Sequence, residues 1–288
     1  MEVILWDLPE KEIAYIKENC KLQLETGELS LVVQEEVKSF EKEAVNGAGT
    51  EKRKEDAYLF ISQNARLLQK AIDAGIATIA YQPPETELCS LPVTIVVEGF
   101  EEVDFLFLQR IWQRHHKMPW TILETERLLV RELTLDDMEK LFELYSYEGM
   151  TDYMEGLYPY EEEYAYQKAY IDNMYRFFGY GMWLVFEKES GKLVGRAGVE
   201  HREALEGELE LGYAIGTPWQ RKGYASEVCR GILAYVKEEL GFEEIVSLVE
   251  PANVASIHLL EKLGFGFETE LNLEGICYKK YKKCLKAL

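Results

Sequence analysis

Between Gly207 and Ala225 the chain reads G-E-L-E-L-G-Y-A-I-G-T-P-W-Q-R-K-G-Y-A, and few folds accommodate that order of residues. Leu209, Leu211, Tyr213 and Ile215 alternate with Glu208, Glu210, Gly212 and Ala214, a period-2 pattern that predicts a strand with one apolar face. Gly216 and Pro218 then interrupt it, because neither supports a well-paired strand interior. The strand is therefore expected to splay from a neighbour and leave backbone N–H and C=O groups open to a ligand. Gln220, Arg221, Lys222 and Gly223 lead into a helix that begins near Gly223 and carries Val228, Ile232, Leu233, Tyr235 and Val236. A helix N-terminus offers orphan N–H donors and the positive end of a dipole. With a glycine and two cations beside it, this one is expected to cradle a pyrophosphate.

Two further stretches give the segment a context. Gln220, Gly223 and Ala225 match the Q/R-x-x-G-x-G/A pattern of motif A in the GNAT acyltransferase superfamily, which the segment resembles. Asn253 to Phe265, N-V-A-S-I-H-L-L-E-K-L-G-F, resembles motif B of the same superfamily. Upstream, Thr125-Glu126-Arg127-Leu128-Leu129-Val130-Arg131 is similar to the opening strand of the branch that contains ribosomal-protein N-terminal acetyltransferases. The resemblance covers the chain from about residue 121 onward. It implies a GNAT fold with a mixed, splayed central sheet over 119–288, and an N-acetyltransferase that takes acetyl-CoA as cosubstrate and needs no metal.

At 288 residues the chain is long enough for two domains, and 47% hydrophobic content supplies their cores. A formal charge of −20 opposes nucleic acid and anionic membranes and suits a cationic acceptor or plain solubility. Cys20, Cys89, Cys229, Cys277 and Cys284 show no C-x-x-C spacing, which fits reduced thiols. Met1 to Asp7 lacks the flank and apolar core of a signal peptide, and no run reaches membrane-spanning length, so a cytoplasmic protein is expected.

Residues 1–118 predict a small Rossmann-like α/β domain, giving an α/β chain overall. Val3 to Trp6 is a strand, a helix follows Pro9 with Ile13, Ile16 and Cys20 on one face, and Leu29 to Val45 carries the spacing of a second helix. A polar loop spans Asn46 to Lys54. Ala57 to Ile61, Asn64 to Ala74 and Ile76 to Tyr81 form a strand-helix-strand unit with parallel pairing. Val93 to Val97 is another strand, and Glu101 to His116 a helix with Val103, Leu106, Phe107, Ile111 and Trp112 inward. Neither a G-x-G-x-x-G nor a Walker loop occurs. Leu59-Phe60-Ile61-Ser62 gives a faint similarity to the haloacid-dehalogenase fold, but Asp7 has no second aspartate two residues on. The domain therefore reads as an accessory module for docking, acceptor presentation or homodimer formation. Adjacent His115 and His116 point to different helix faces and make poor joint metal ligands.

In 119–288, Leu128 to Glu132 predicts a strand and Asp136 to Tyr145 a helix with Thr134 as N-cap. Gly181 to Glu187 and Leu193 to Glu200 predict a hairpin, Glu244 to Val249 the strand that parts from the central one, and Leu271 to Cys277 with Tyr278 to Leu285 the closing pair. Aromatic residues crowd Tyr145 to Trp183 among glutamates, a setting suited to an ammonium. Tyr153, Tyr158 and Tyr160 are the rings expected to see an acceptor.

The resemblance implies direct transfer of an acetyl group to a primary amine, on a protein N-terminus or a small cation. Ala214 and Ile215 would hold the pantetheine by backbone contacts, Gln220, Arg221, Lys222, Gly223, Tyr224, Ala225 and Ser226 the pyrophosphate, and Asn253 and Ser256 the arm or thiol. Glu210 is the expected base, with Glu200, which also faces the acceptor, and Glu208 as alternatives. Leu260 stands where many relatives place a tyrosine acid, so Ser256, a water or no acid returns the proton. Cys229 is expected to be buried rather than nucleophilic. The competing reading is a catalytically silent acetyl-CoA sensor or scaffold.

Overall fold

The computed structural model describes residues 1–34, 58–84, 86, 90–202, 205 and 207–286. The chain divides into two compact units, Met1–Trp120 and Thr121–Leu288.

The first unit is a three-layer α/β sandwich. Its strands β1 (Glu2–Trp6), β2 (Ser30–Gln34), β3 (Tyr58–Ser62), β4 (Ala77–Tyr81) and β5 (Ile95–Val97) lie in the order β2-β1-β3-β4-β5, all parallel. Alternation along β1 explains the layers. Val3 and Leu5 join Ile16, Cys20, Leu108 and Ile111 on one face. Ile4 and Trp6 join Phe60, Leu67, Leu68 and Ala71 on the other. Helices α1 (Glu10–Asn19) and α4 (Phe105–His115) cover the first face, and α3 (Ala65–Asp73) covers the second; α2 (Lys21–Thr26) follows α1. Asn64 caps α3 by accepting from the N–H groups of Arg66 and Leu67.

Three expectations change here. Ser30–Gln34 is a strand where helical spacing was predicted from Leu29, because pairing with β1 outweighs a local period that both structures share; the rest of that stretch, like the polar loop after it, lies outside the described residues. Asp104 starts α4 later than predicted by capping Phe107 N–H at 2.8 Å. Phe107, Ile111 and Trp112 pack inward as expected, with Val103 buried before the helix and Leu108 added, while Leu106 is 39% exposed. His115 hydrogen-bonds the Gly75 carbonyl at 2.8 Å and Thr94 Oγ1 at 3.3 Å, a structural role.

The second unit is built on an eight-stranded sheet ordered β12-β13-β11-β10-β9-β8-β7-β6. The strands are β6 (Thr121–Glu124), β7 (Leu128–Arg131), β8 (Met182–Glu187), β9 (Leu193–His201), β10 (Leu209–Ile215), β11 (Glu244–Val249), β12 (Gly266–Leu273) and β13 (Ile276–Cys284). Only β10 and β11 are parallel neighbours, so the sheet is mixed. The closing hairpin turns at Glu274 and Gly275, both with φ in the left-handed region, so Cys277 belongs to β13 and β12 begins earlier than predicted. Helix α5 (Met138–Ser146) follows a 3-10 turn, Leu135–Asp137, whose Thr134–Asp137 capping box fixes its start. Helix α6 (Tyr160–Tyr170) runs directly into a π-helical segment, Ile171–Phe178, in the aromatic stretch where no helix was predicted. Helices α7 (Tyr224–Glu238) and α8 (Val254–Lys262) complete the unit. Val228, Cys229, Ile232 and Val236 on α7 are fully buried, the face that the sequence pattern marks. No helix among the described residues is long and apolar enough to cross a membrane.

Candidate active site

β10 and β11 pair at a single position, Glu210 opposite Val246, and then part. On its other side β10 stays paired with β9 from Leu209–His201 to Ile215–Gly195. Since backbone groups alternate sides along an antiparallel ladder, every second residue of β10 faces the gap. Leu211 does so, its carbonyl accepting from Ser247 Oγ at 2.9 Å, and so does Ile215, its carbonyl accepting from Gln220 Nε2 at 3.0 Å. The same alternation turns Tyr213 toward the gap and Ala214 away from it. An added Cβ at Gly195 of β9 would lie 2.5 Å from the Ala214 carbonyl oxygen. The backbone groups open to a ligand thus belong to Tyr213 and the Ile215 N–H, which corrects the expectation for Ala214.

Behind the gap, Gly223 precedes α7 with φ 85° and no side chain caps the helix. Arg221 has φ 60°, so two left-handed residues flank Lys222 and turn the loop over the helix end. Arg127, which sequence reasoning left as part of a strand, holds this loop. Its Nη1 donates to the Lys222 carbonyl at 3.0 Å, its Nε to Glu227 Oε2 at 2.7 Å, and its guanidinium lies 4.5 Å from the Tyr224 ring centroid. Thr125 Oγ1 donates to Glu227 Oε1 at 2.6 Å, and the Tyr224 hydroxyl donates to Glu187. Ala225 and Ser226 occupy the first turn of α7 beside Tyr224. The Thr125-Glu126-Arg127 signature is therefore a brace for a helix about a hundred residues downstream.

Asn253 caps α8 by accepting from Ser256 N–H at 3.1 Å. Ser256 Oγ is 2.6 Å from the Tyr213 hydroxyl. Burial raises the Tyr213 pKa well above its ordinary value, against the opposing Ser256 hydrogen bond, so the phenol keeps its proton. This pair was hidden in the sequence because Tyr213 sits at an apolar position of a period-2 pattern. Leu260 is fully buried, and so is Cys229, whose thiol burial pushes up.

A cavity of about 930 Å³ opens beside the gap, lined by β8, β9, β10, β11, α6 and the loop before α6. On its floor Glu200 stands directly opposite Glu210, Gly198 opposite Gly212, and Arg196 opposite Ala214. Glu210 pairs with Arg202 Nε at 2.9 Å, and its side chain is 12% exposed. Burial is the largest influence on this carboxyl and raises its pKa; Arg202 opposes, Glu200 adds to the rise, and the net direction is upward. Glu200 takes a hydrogen bond from the Tyr170 hydroxyl, which itself accepts Met182 N–H at 2.6 Å. Glu208 lies outside the cavity and forms ion pairs with Lys280 and Lys282 that hold its pKa down despite burial. Glu163 is also spoken for, accepting from Tyr158 N–H at 3.0 Å and Gln167 Nε2 at 2.6 Å. Tyr153 and Tyr158 line the cavity; Tyr160 does not, its ring packing 5.4 Å from Phe142. No group of three or more His, Cys, Asp or Glu among the described residues could hold a metal ion.

Central strands thus part above an uncapped helix N-terminus, with carboxylates beside the opening. Residues 127–266 match the model of the acetyltransferase (GNAT) domain. The uncharacterised N-acetyltransferase YoaA of Bacillus subtilis (strain 168) is 30% identical over 146 residues, half of this chain and 82% of that protein. The uncharacterised N-acetyltransferase YnaD of the same strain is 28% identical over 165 residues, 57% of this chain and 87% of its own. Apo RimL, a ribosomal L7/L12 alpha-N-protein acetyltransferase, shares the fold with a TM-score of 0.51 at 16% identity, covering 58% of this chain and 95% of that one. The chain belongs to the GNAT family of N-acetyltransferases.

Proposed function

We propose that the protein moves an acetyl group from acetyl-CoA to a primary amine bound over the Glu200–Glu210 pair, by direct attack in a ternary complex. The observation that carries the reading is the single β10–β11 pairing at Glu210, which leaves a gap with a carboxylate at its mouth and an uncapped helix behind it. The residues fit the cosubstrate. First-turn N–H groups of α7 (Tyr224, Ala225, Ser226), with Arg221 and Lys222, suit a pyrophosphate, and Gly223 leaves the approach clear. The Tyr213 and Ile215 backbone suits the pantetheine amides as an added strand would, with one N–H left for the thioester oxygen. Asn253 and Ser256 line the same cavity and would suit the arm. Acetyl-CoA supplies the activated acyl group.

The amine arrives protonated. A lysine-like amine of pKa ~10.4 needs roughly 4 kcal/mol to lose its proton near pH 7.4, an α-amine well under ~1 kcal/mol. Glu210, whose carboxyl pKa burial raises toward the working pH, is the candidate base. The Tyr213–Ser256 pair, protonated and joined at 2.6 Å, stands ready to return a proton to the departing sulfur.

Free coenzyme A release from acetyl-CoA across alanine- and serine-initiated peptides, polyamines, amino acids and aminoglycosides tests the reading, with calorimetric cofactor binding on the same sample. Turnover with an amine class is expected. Tight binding with no turnover on any acceptor would favour the sensor instead, and no binding would remove the cradle.

A further inference from the structure

The floor of the cavity carries opposite charges at its two ends. At one end Glu200 faces Glu210; Arg202 neutralises Glu210, so Glu200, oriented by the Tyr170 hydroxyl, supplies the remaining negative charge. At the other end, four residues along β9, is Arg196. That separation is roughly 13 Å between backbone levels at ~3.3 Å per residue. Between the ends Gly198 faces Gly212, so neither strand raises a side chain; the Gly181 carbonyl oxygen crowds the place where a Cβ on Gly198 would stand, and the Met182 sulfur lies 3.1 Å from where one on Gly212 would.

Arg196 is thinly partnered for a guanidinium in a strand. Its one hydrogen bond runs from Nη1 to the Tyr145 hydroxyl at 3.2 Å, and its Nε is buried with no partner. No carboxylate among the described residues lies within ion-pair distance of it. An arginine in an otherwise apolar strand, L-V-G-R-A-G-V, costs stability unless something pairs with it. A guanidinium that lines a cavity and has no carboxylate beside it suits an anionic ligand group.

We infer that the acceptor is a zwitterion of amino-acid type, a primary amine held at Glu200 with a carboxylate held by Arg196. This rests on the acyl-transfer reading above and names its substrate class. A simple polycation would set its second charge against the Arg196 guanidinium, and a neutral amine would leave it unpaired.

The test uses the full-length protein and the protein amino acids, each offered as the free acid and as its carboxamide, with coenzyme A release as readout. At least a tenfold higher kcat/KM for the acid of the best pair is expected, and Arg196→Met should bring that ratio to near one. Amides that serve as well as acids with the wild-type protein would overturn the inference, whether or not the variant folds. So would a preference that survives in Arg196→Met. Should no amine be turned over, the acyl-transfer reading fails separately. Calorimetric binding of the same acid and amide to the protein saturated with coenzyme A then decides this one: a preference for the acid that needs Arg196 supports it, and equal binding of the two, or of neither, overturns it.

Discussion

A carboxylate that must accept a proton near neutrality gains from a dry setting, and Glu210 has one. Glu210→Gln is expected to lower kcat by about 10² to 10⁴ while calorimetric affinity for acetyl-CoA is kept. The wild-type rate should rise with pH through a pKa raised from the ordinary glutamate value, and the variant should lose that limb. Removing Ser256 and Tyr213 hydroxyls singly and together should be non-additive in kcat, since each acts through the other. Asp137 illustrates the opposite shift. Burial pushes its carboxyl up, but Arg131 on both oxygens at 2.7 Å and the Thr134 N–H and hydroxyl overcome this and hold it at about 2. A depressed pKa stabilises the fold above the unfolded value and ceases to do so as pH falls through the folded one. From 3.8 to about 2 the contribution is roughly 2.5 kcal/mol, fully present near neutrality. The gap in urea-unfolding free energy between wild type and Asp137→Asn should therefore narrow as pH is lowered from about 5 to about 2.

Among the elements, the loop into α7 depends on a residue far away in sequence. Arg127→Ala would remove the grip on the Lys222 carbonyl and the ion pair with Glu227, so KM for acetyl-CoA should rise about tenfold, a loss of about 1.4 kcal/mol, with kcat little changed. Gly223→Ala would place an L side chain at φ 85°, at a backbone cost of ~1–2 kcal/mol, with its Cβ 3.4 Å from Arg127 Nη2. Its effect should appear in cofactor affinity and in a lowered melting temperature. Motif A was legible because glycine, cations and an amphipathic helix succeed one another within twenty residues. The brace was not, because nothing local in Thr125-Glu126-Arg127 announces a partner on α7.

Over the whole molecule, each unit has its own sheet and core, so a fragment spanning Thr121–Leu288 is expected to melt cooperatively on its own in calorimetry and to bind acetyl-CoA. Broken transitions or a molten fragment would contradict this. Much of the architecture follows from the sequence alone. A period-2 run marks β10, a short apolar run marks β1, and periodic apolar faces mark α3 and α7, because burial and backbone satisfaction are local demands that recur at each turn or pleat. The break at Gly216 and Pro218 likewise announced that β10 must part from a neighbour. Which backbone groups the parting exposes was settled only by the ladder with β9, which turns Tyr213 rather than Ala214 to the gap. Tertiary structure also decided that Ser30–Gln34 is a strand, since its partner β1 outweighs its own ambiguous period. The same holds for the charges: which glutamate is paired, which is free, and that a lone arginine shares their floor are matters of register across strands. A one-residue slip would reverse every face, and no local pattern encodes it.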